Sequence, residues 1–288
     1  MEKKTTYDKR IEFPKKREYQ ALIRIIHLIR IDDDYVTMRN NPGKKNLAHK
    51  KIALVGCGTI GGYLAEMLLK AGAGTQGGQL ILIDNDDLLP QNIGRHRLGT
   101  YAIFSNKAMA LQKELLRSMP TADIHAIPVD ARYVSLESVD ILIDSTGEES
   151  LGHWLCGQYA KHIDMLTVWI EGPGSVVRSL LKTSNANACF RCLWHWNRED
   201  KFLATEEKIS VILEGHGCEE LYVPFSSVAS VQAACLATDV IINWANHITH
   251  PSLRTIIIDQ GLTCKTRDCT PEKHPLCPIC AIQTHGDL

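Results

Sequence analysis

Apolar residues in this chain follow two rhythms. Short runs begin with "KIALVG" at Lys51 and "GQLILID" at Gly78, and continue through "DIHAIPV", "VDILIDST", "LTVWIEG", "SVVRSLLKT" and "RTIIID". "KIALVG" is continuously apolar, and short, mostly apolar runs of this kind, rich in Ile, Val and Leu, predict strands. Between them the spacing changes to three and four residues. "TIGGYLAEMLLKAG" predicts a helix that stops at glycine, and further helices are expected at about 106–119, near 151–162 and over "SSVASVQAACLATDVIINWANHI". Strands alternating with helices imply an α/β fold, a Rossmann-like, doubly wound and largely parallel sheet.

The flanking segments read differently. "EYQALIRIIHLIRI" puts Leu22, Ile25, Ile26 and Ile29 on one stripe of an amphipathic helix, suited to packing on the body or on a second subunit. "DDDYVTMRNNPGKKNLAHK" is turn-rich, with Asn41-Pro42-Gly43 as its strongest breaker, so residues 1–49 are expected to be a helix and linker and 50–288 the main domain. Periodicity also lapses over 188–224, which holds Cys189, Cys192 and Cys218.

Composition narrows the class. With 288 residues, 44% of them hydrophobic and 23% charged, the chain can bury a large core. No apolar run reaches the roughly 18–20 residues that span a bilayer, and "MEKKTTYDKR" has no secretory h-region, so a cytoplasmic protein without a membrane partner is expected. A net charge of -1 argues against general nucleic-acid binding. Residues 1–50 carry 13 Lys or Arg against 7 Asp or Glu, either a partner surface or a solvated basic face.

The first chemical signal is "GCGTIGG". Gly56, Gly58 and Gly61 stand in GxGxxG spacing between a strand and a helix, where glycine lets backbone N–H groups approach phosphate oxygens. Asp84, at the end of the next strand, is placed for ribose hydroxyls. An NAD-dependent dehydrogenase would meet both requirements, so the residues that follow must decide. Asp86, Asn92, Arg95 and Lys107 cluster just after the strand. Hydride transfer has no evident use for these groups, whereas Arg and Lys can neutralise charge that develops when an α-phosphate is attacked and pyrophosphate leaves.

The order GxGxxG, D-x-D, N-x-x-R and Lys resembles the ThiF/MoeB superfamily of adenylating enzymes, which includes the ubiquitin-activating enzymes. The resemblance implies that Asp84 holds the ribose, that Asn92 and Arg95 reach the phosphates, and that Lys107 assists at the triphosphate. It also implies an arginine supplied from near the N-terminus, often to a partner subunit, for which Arg39 is the candidate. ATP and Mg2+ follow, as does a homodimer. Two positions depart from the family pattern. His96 stands where Gln is usual, and in "IDSTGEES" Gly147 stands where a magnesium-binding Asp is usual, which shifts that role to Asp144 or Glu148.

Ten cysteines in a chain of this length, without an export signal, point to metal or catalysis rather than disulfides. Cys189-Phe-Arg-Cys192 and Cys277-Pro-Ile-Cys280 are two CxxC pairs that together can complete a tetrahedral zinc shell, tying a tail over 264–288 to a knuckle in the irregular segment. A redox CxxC is less suited, since neither pair is expected to open a helix after a thioredoxin-type strand. Cys264 and Cys269 are left open as substitute ligands, a disulfide or free thiols. Cys218, in "EGHGCEELYVPFSS", lies in a polar, glycine-flanked loop ahead of a long helix, with His216 placed to favour its thiolate and Glu219 and Glu220 to oppose it. Ubiquitin-activating members carry their thioester cysteine in such a crossover loop. Resemblance to stand-alone bacterial members found beside conjugating enzymes in antiphage operons implies adenylation of a ubiquitin-like protein, a thioester on Cys218 and transfer to a conjugating enzyme. A sulfur-carrier adenylyltransferase and a non-catalytic nucleotide-binding scaffold are the alternatives.

Overall fold

The computed structural model describes residues 28–39, 42–183, 187–210, 213 and 222–280. Seven strands form one sheet: β1 (Lys51–Val55), β2 (Gln79–Ile83), β3 (Ile124–Ile127), β4 (Ile141–Asp144), β5 (Asp164–Glu171), β6 (Val176–Lys182) and β7 (Leu253–Ile257), in the order β3-β2-β1-β4-β5-β6-β7. Neighbours from β3 to β5 pair in parallel, and β5-β6 and β6-β7 pair antiparallel. The expected largely parallel, doubly wound sheet is therefore present.

Alternation along each strand explains the apolar runs. In β1, Ile52 and Leu54 join one core while Ala53 and Val55 join the other; in β4, Ile141 and Ile143 face the first core and Leu142 the second. Helices α2 (Thr59–Lys70), α3 (Lys107–Ser118) and α6 (Ser227–Ala245) contribute to the first core, and α4 (Glu149–Tyr159) to the second. Helix α6 is apolar all round because it lies across α2, β5 and β6. It is the one helix among the described residues long and apolar enough to cross a membrane, and half of that stretch is buried in the fold.

Three local readings change. The stretch read as linker holds a short helix, α1 (Asp33–Met38), whose N-cap Asp32 accepts from the Tyr35 N–H. Leu47 and Ala48 are buried, so the core reaches back before Lys50. The segment read as irregular holds α5 (Phe190–Arg198), and Cys189 is its N-cap. One CxxC pair thus opens a helix, though not one that follows directly on a strand. Of the proposed N-terminal helix, Leu22, Ile25 and Ile26 lie outside the described residues, as do Cys218 and most of the crossover loop; Ile29 lies in non-helical chain and is exposed.

Candidate nucleotide site and cysteine cluster

Strand order reverses between β1 and β4, the switch point at which open α/β sheets bind ligands beyond their strand ends. The glycine turn occupies that point. Gly56 has φ +88°, and a Cβ at Gly61 would lie 1.8 Å from the Gly56 carbonyl oxygen, so helix α2 can close on the turn only with glycine there. Ser145, buried after β4, donates its hydroxyl to the carbonyls of Val55 (3.1 Å) and Gly56 (2.8 Å). Gly58 caps α2 without a side-chain hydrogen bond, which leaves the positive end of the helix open to an anion.

Asp84 follows β2 directly. Its two oxygens accept from the N–H groups of Cys57 (2.7 Å) and Asp86 (2.9 Å), fixing the carboxylate beside the turn. Burial raises its pKa, against those hydrogen bonds and the Lys107 charge. Lys107 Nζ is 2.8 Å from Asp86 Oδ2. Asn106 caps α3 and donates to the carbonyls of Asp84 (2.9 Å) and Asp86 (3.2 Å), stapling the lysine-bearing helix to the acidic loop. Asn92 turns its Oδ1 to the Leu89 N–H (2.9 Å), so here it shapes its own loop. Arg95 lies over Phe225 (4.8 Å to the ring centre) and Tyr222 (5.6 Å), and its buried Nε has no hydrogen-bond partner among the described residues. Gly56, Gly58, Gly61, Asp84, Asp86 and Lys107 therefore meet beyond the C-terminal ends of the interior strands β1 and β2, with the Arg95 loop attached through His96.

The candidates for magnesium are arranged less favourably. Gly147 has φ +69° and no side chain to offer. Asp144 is 2% exposed, accepts from the Thr146 N–H (3.1 Å) and hydroxyl (2.7 Å), and turns toward Gly152 of α4. Burial pushes its pKa up to about 6. Glu148 is exposed but engages Arg132 (3.2 Å) and Ser150 (2.5 Å). Thus the residues present form no ready-made pair of carboxylates for the ion. Arg39 lies farther away. Helix α1 is tied to Asn46, Gln76 and Thr121, all before strands, at the end of the sheet opposite the glycine turn. Within one chain Arg39 is not brought to the cradle; it bonds Tyr35 (3.1 Å).

Cys189, Cys192, Cys277 and Cys280 converge, with all four sulfurs within 4.8 Å of one another. Cys189 lies 3.7 Å from Cys192 and 3.6 Å from Cys277. Tetrahedral ligation at about 2.3 Å per Zn–S bond requires sulfurs roughly 3.8 Å apart, so the donor set and its spacing suit zinc. The convergence, rather than the absence of a helix, separates this site from a redox pair. Cys264 and Cys269 stand outside the cluster and carry no disulfide. Sequence reading missed Ser145 and Asn106; for Asn106 the N-cap preference for Asn just ahead of an amphipathic run was an available signal.

The family profile described as "ThiF family" matches residues 28–279. The chain belongs to the ThiF family. Among relatives of this ThiF-family chain, the ATP-dependent ubiquitin transferase-like protein Cap2 of Pseudomonas aeruginosa is 55% identical over 91% of this chain and 48% of its own length. The Cap2 protein of Vibrio cholerae is 31% identical over 87% and 44%. The chain therefore spans about half the length of the curated relatives it matches. The fold is also that of Escherichia coli MccB, at a TM-score of 0.61 and 17% identity, covering 84% of this chain and 68% of MccB.

Proposed function

We propose that the chain activates the C-terminal carboxylate of a ubiquitin-like protein with ATP and passes the acyl group, through Cys218, to a conjugating enzyme. The observation that carries the adenylation step is the grouping of Asp84, Lys107 and the open N-terminus of α2 at the switch point, with Arg95 on the adjoining loop. Asp84 would hold the ribose. A carboxylate oxygen of the substrate attacks the α-phosphorus, the bond to the β-phosphate oxygen breaks, and pyrophosphate leaves. Arg95 and Lys107 offset the charge that develops there. Magnesium, when bound, would neutralise phosphate charge, and Glu148 is the exposed carboxylate that would help to hold it.

In the second step the Cys218 thiolate attacks the acyl carbonyl, AMP departs, and a thioester forms; the conjugating enzyme's thiolate then displaces Cys218. Names of the relatives as ubiquitin transferase-like proteins support this reading of the substrate. Arg39 is assigned to the cradle of a second copy, since it lies at the wrong end of its own sheet.

The test incubates the protein with Mg·ATP and the small ubiquitin-like protein encoded nearby, comparing wild type with Cys218→Ala. A reductant-sensitive adduct in wild type alone, with ATP–pyrophosphate exchange in both, is the expected result. Exchange without an adduct in wild type would assign the chain to sulfur-carrier adenylation, and no exchange at all would assign it to a nucleotide-binding scaffold.

A further inference from the structure

His96 is the least expected residue of the cradle. It is 5% exposed and lies on the loop between Arg95 and Arg97. Its Nδ1 accepts from the Leu98 N–H at 3.0 Å, and a ring nitrogen that accepts carries no proton. The proton of the neutral ring is thereby assigned to Nε2, which donates to the Cys57 carbonyl at 2.9 Å. Burial and the neighbouring charges of Lys107, Arg95 and Arg97 all oppose a second proton, against the Cys57 carbonyl that favours it. Other charged groups in reach are Asp84 after β2, Asp86 paired with Lys107, and Glu66 and Glu114 paired with Arg97.

Cys57 is the middle residue of the glycine turn, and glycines on both sides leave that turn few side-chain restraints. Its N–H is fixed by Asp84 and its carbonyl by His96. Both backbone groups of the one non-glycine residue in the turn are thus held from outside, one by the carboxylate assigned to the ribose and one by the arginine loop. A Cβ at Gly62 would stand 3.1 Å from Arg97 Cβ and 3.5 Å from the His96 ring, so α2 and this loop also touch directly.

We propose that His96 is a positioning residue: its ring bridges the phosphate turn to the Arg95 loop and holds the two in the relative placement that binds the triphosphate. The proposal rests on the nucleotide reading above. His96 itself touches backbone and acts on phosphate only through Cys57 and Arg95. The geometry also specifies a substitute. A glutamine amide offers one N–H donor and one carbonyl acceptor, the pair that the neutral ring supplies, whereas alanine offers neither.

Isothermal titration with Mg·ATP, on wild type, His96→Gln and His96→Ala, reads the effect without a protein partner, and thermal melting identifies any variant that fails to fold. Binding by His96→Gln within about threefold of wild type and by His96→Ala weaker by about tenfold or more is expected, as for loss of one or two buried hydrogen bonds. In pyrophosphate exchange, the KM for ATP should rise in His96→Ala while that for the protein substrate stays put. Should His96→Ala not fold, His96→Asn serves in its place, and nitrogen-15 histidine spectra of wild type read the tautomer directly. The Nε2–H form, shifting on addition of Mg·ATP, is expected; an Nδ1–H or doubly protonated ring at neutral pH overturns the proposal. Wild type that binds ATP while folded His96→Ala binds it equally well overturns the inference alone. Wild type that does not bind ATP removes the nucleotide reading and the inference with it.

Discussion

Asp144 ends β4 and Asp84 directly follows β2 of the same sheet, yet they do different things. Asp84 turns its carboxylate onto the glycine turn, whereas Asp144 falls on the α4 face and is enclosed. Strand-end carboxylates were legible in the sequence; which face each takes was not, because it depends on where the strand stops and how its loop turns. Enclosure has a pH consequence. The folded pKa of about 6 lies above the ordinary 3.8, owing first to burial, so the folded state binds the proton more tightly. Stability contributed by the protonated acid is complete below about pH 4 and lost as pH rises through about 6. Asn at this position mimics the protonated form and still accepts from Thr146. Urea titrations without nucleotide should find Asp144→Asn more stable than wild type by on the order of 1–3 kcal/mol at pH 7, with the gap closing near pH 4. A gap that is constant with pH would contradict this account. At the same scale, the cradle glycines were readable because three fixed spacings express one steric need. Ser145 was not, since its role comes from β1 lying beside β4, a pairing of residues 89 and 90 apart.

Elements show a similar division. Long strands and helices were visible as runs and periods, because two cores each demand a continuous apolar face. Helices α1 and α5 were hidden. The first is six residues long in a polar stretch, and the second begins at a cysteine and carries aromatic residues where aliphatic ones are expected. What holds α5 is tertiary: Cys192 and Leu193 are buried, Trp196 donates its indole N–H to the Glu272 carbonyl (2.8 Å), and His274 stacks on His195. Phe190 and Trp194 pack on His153 of α4, and Phe190 also on Trp169, but Trp196 and His195 are held by the segment carrying the second CxxC pair, so metal and helix should depend on each other. Purified protein is expected to contain about one zinc per chain, the capacity of one four-thiolate shell. Chelation, or Cys277→Ser, should speed hydrogen exchange in α5 and residues 264–280 while β1, β2 and β4 keep their protection. Equal loss in all these elements would make the cluster a part of the global core rather than a local tie.

At the scale of the whole molecule, the parallel sheet with its switch point followed from the order of strands and helices, but the positions of the two ends of α1 relative to that sheet did not. Arg39 lies at the end of the strands opposite the glycine turn, so any service to a nucleotide falls to another copy. This has a quantitative signature. Under the proposed reading, Arg39→Ala and Lys107→Ala would damage different halves of one composite site, so mixing the two inactive proteins and allowing exchange should regenerate roughly a quarter of wild-type pyrophosphate exchange, from mixed pairs with one intact site. No recovery after verified exchange would remove Arg39 from the site. The cysteine cluster, finally, sets an order of events during synthesis. Cys192 is made 85 residues before Cys277. At ribosomal speeds of about 5–20 residues per second, the first pair of thiols waits roughly 4 to 17 s for the second. Over that interval the α4 side of the sheet stands without its closing strap, and a nascent chain offers two of four ligands to whatever metal or oxidant reaches it first.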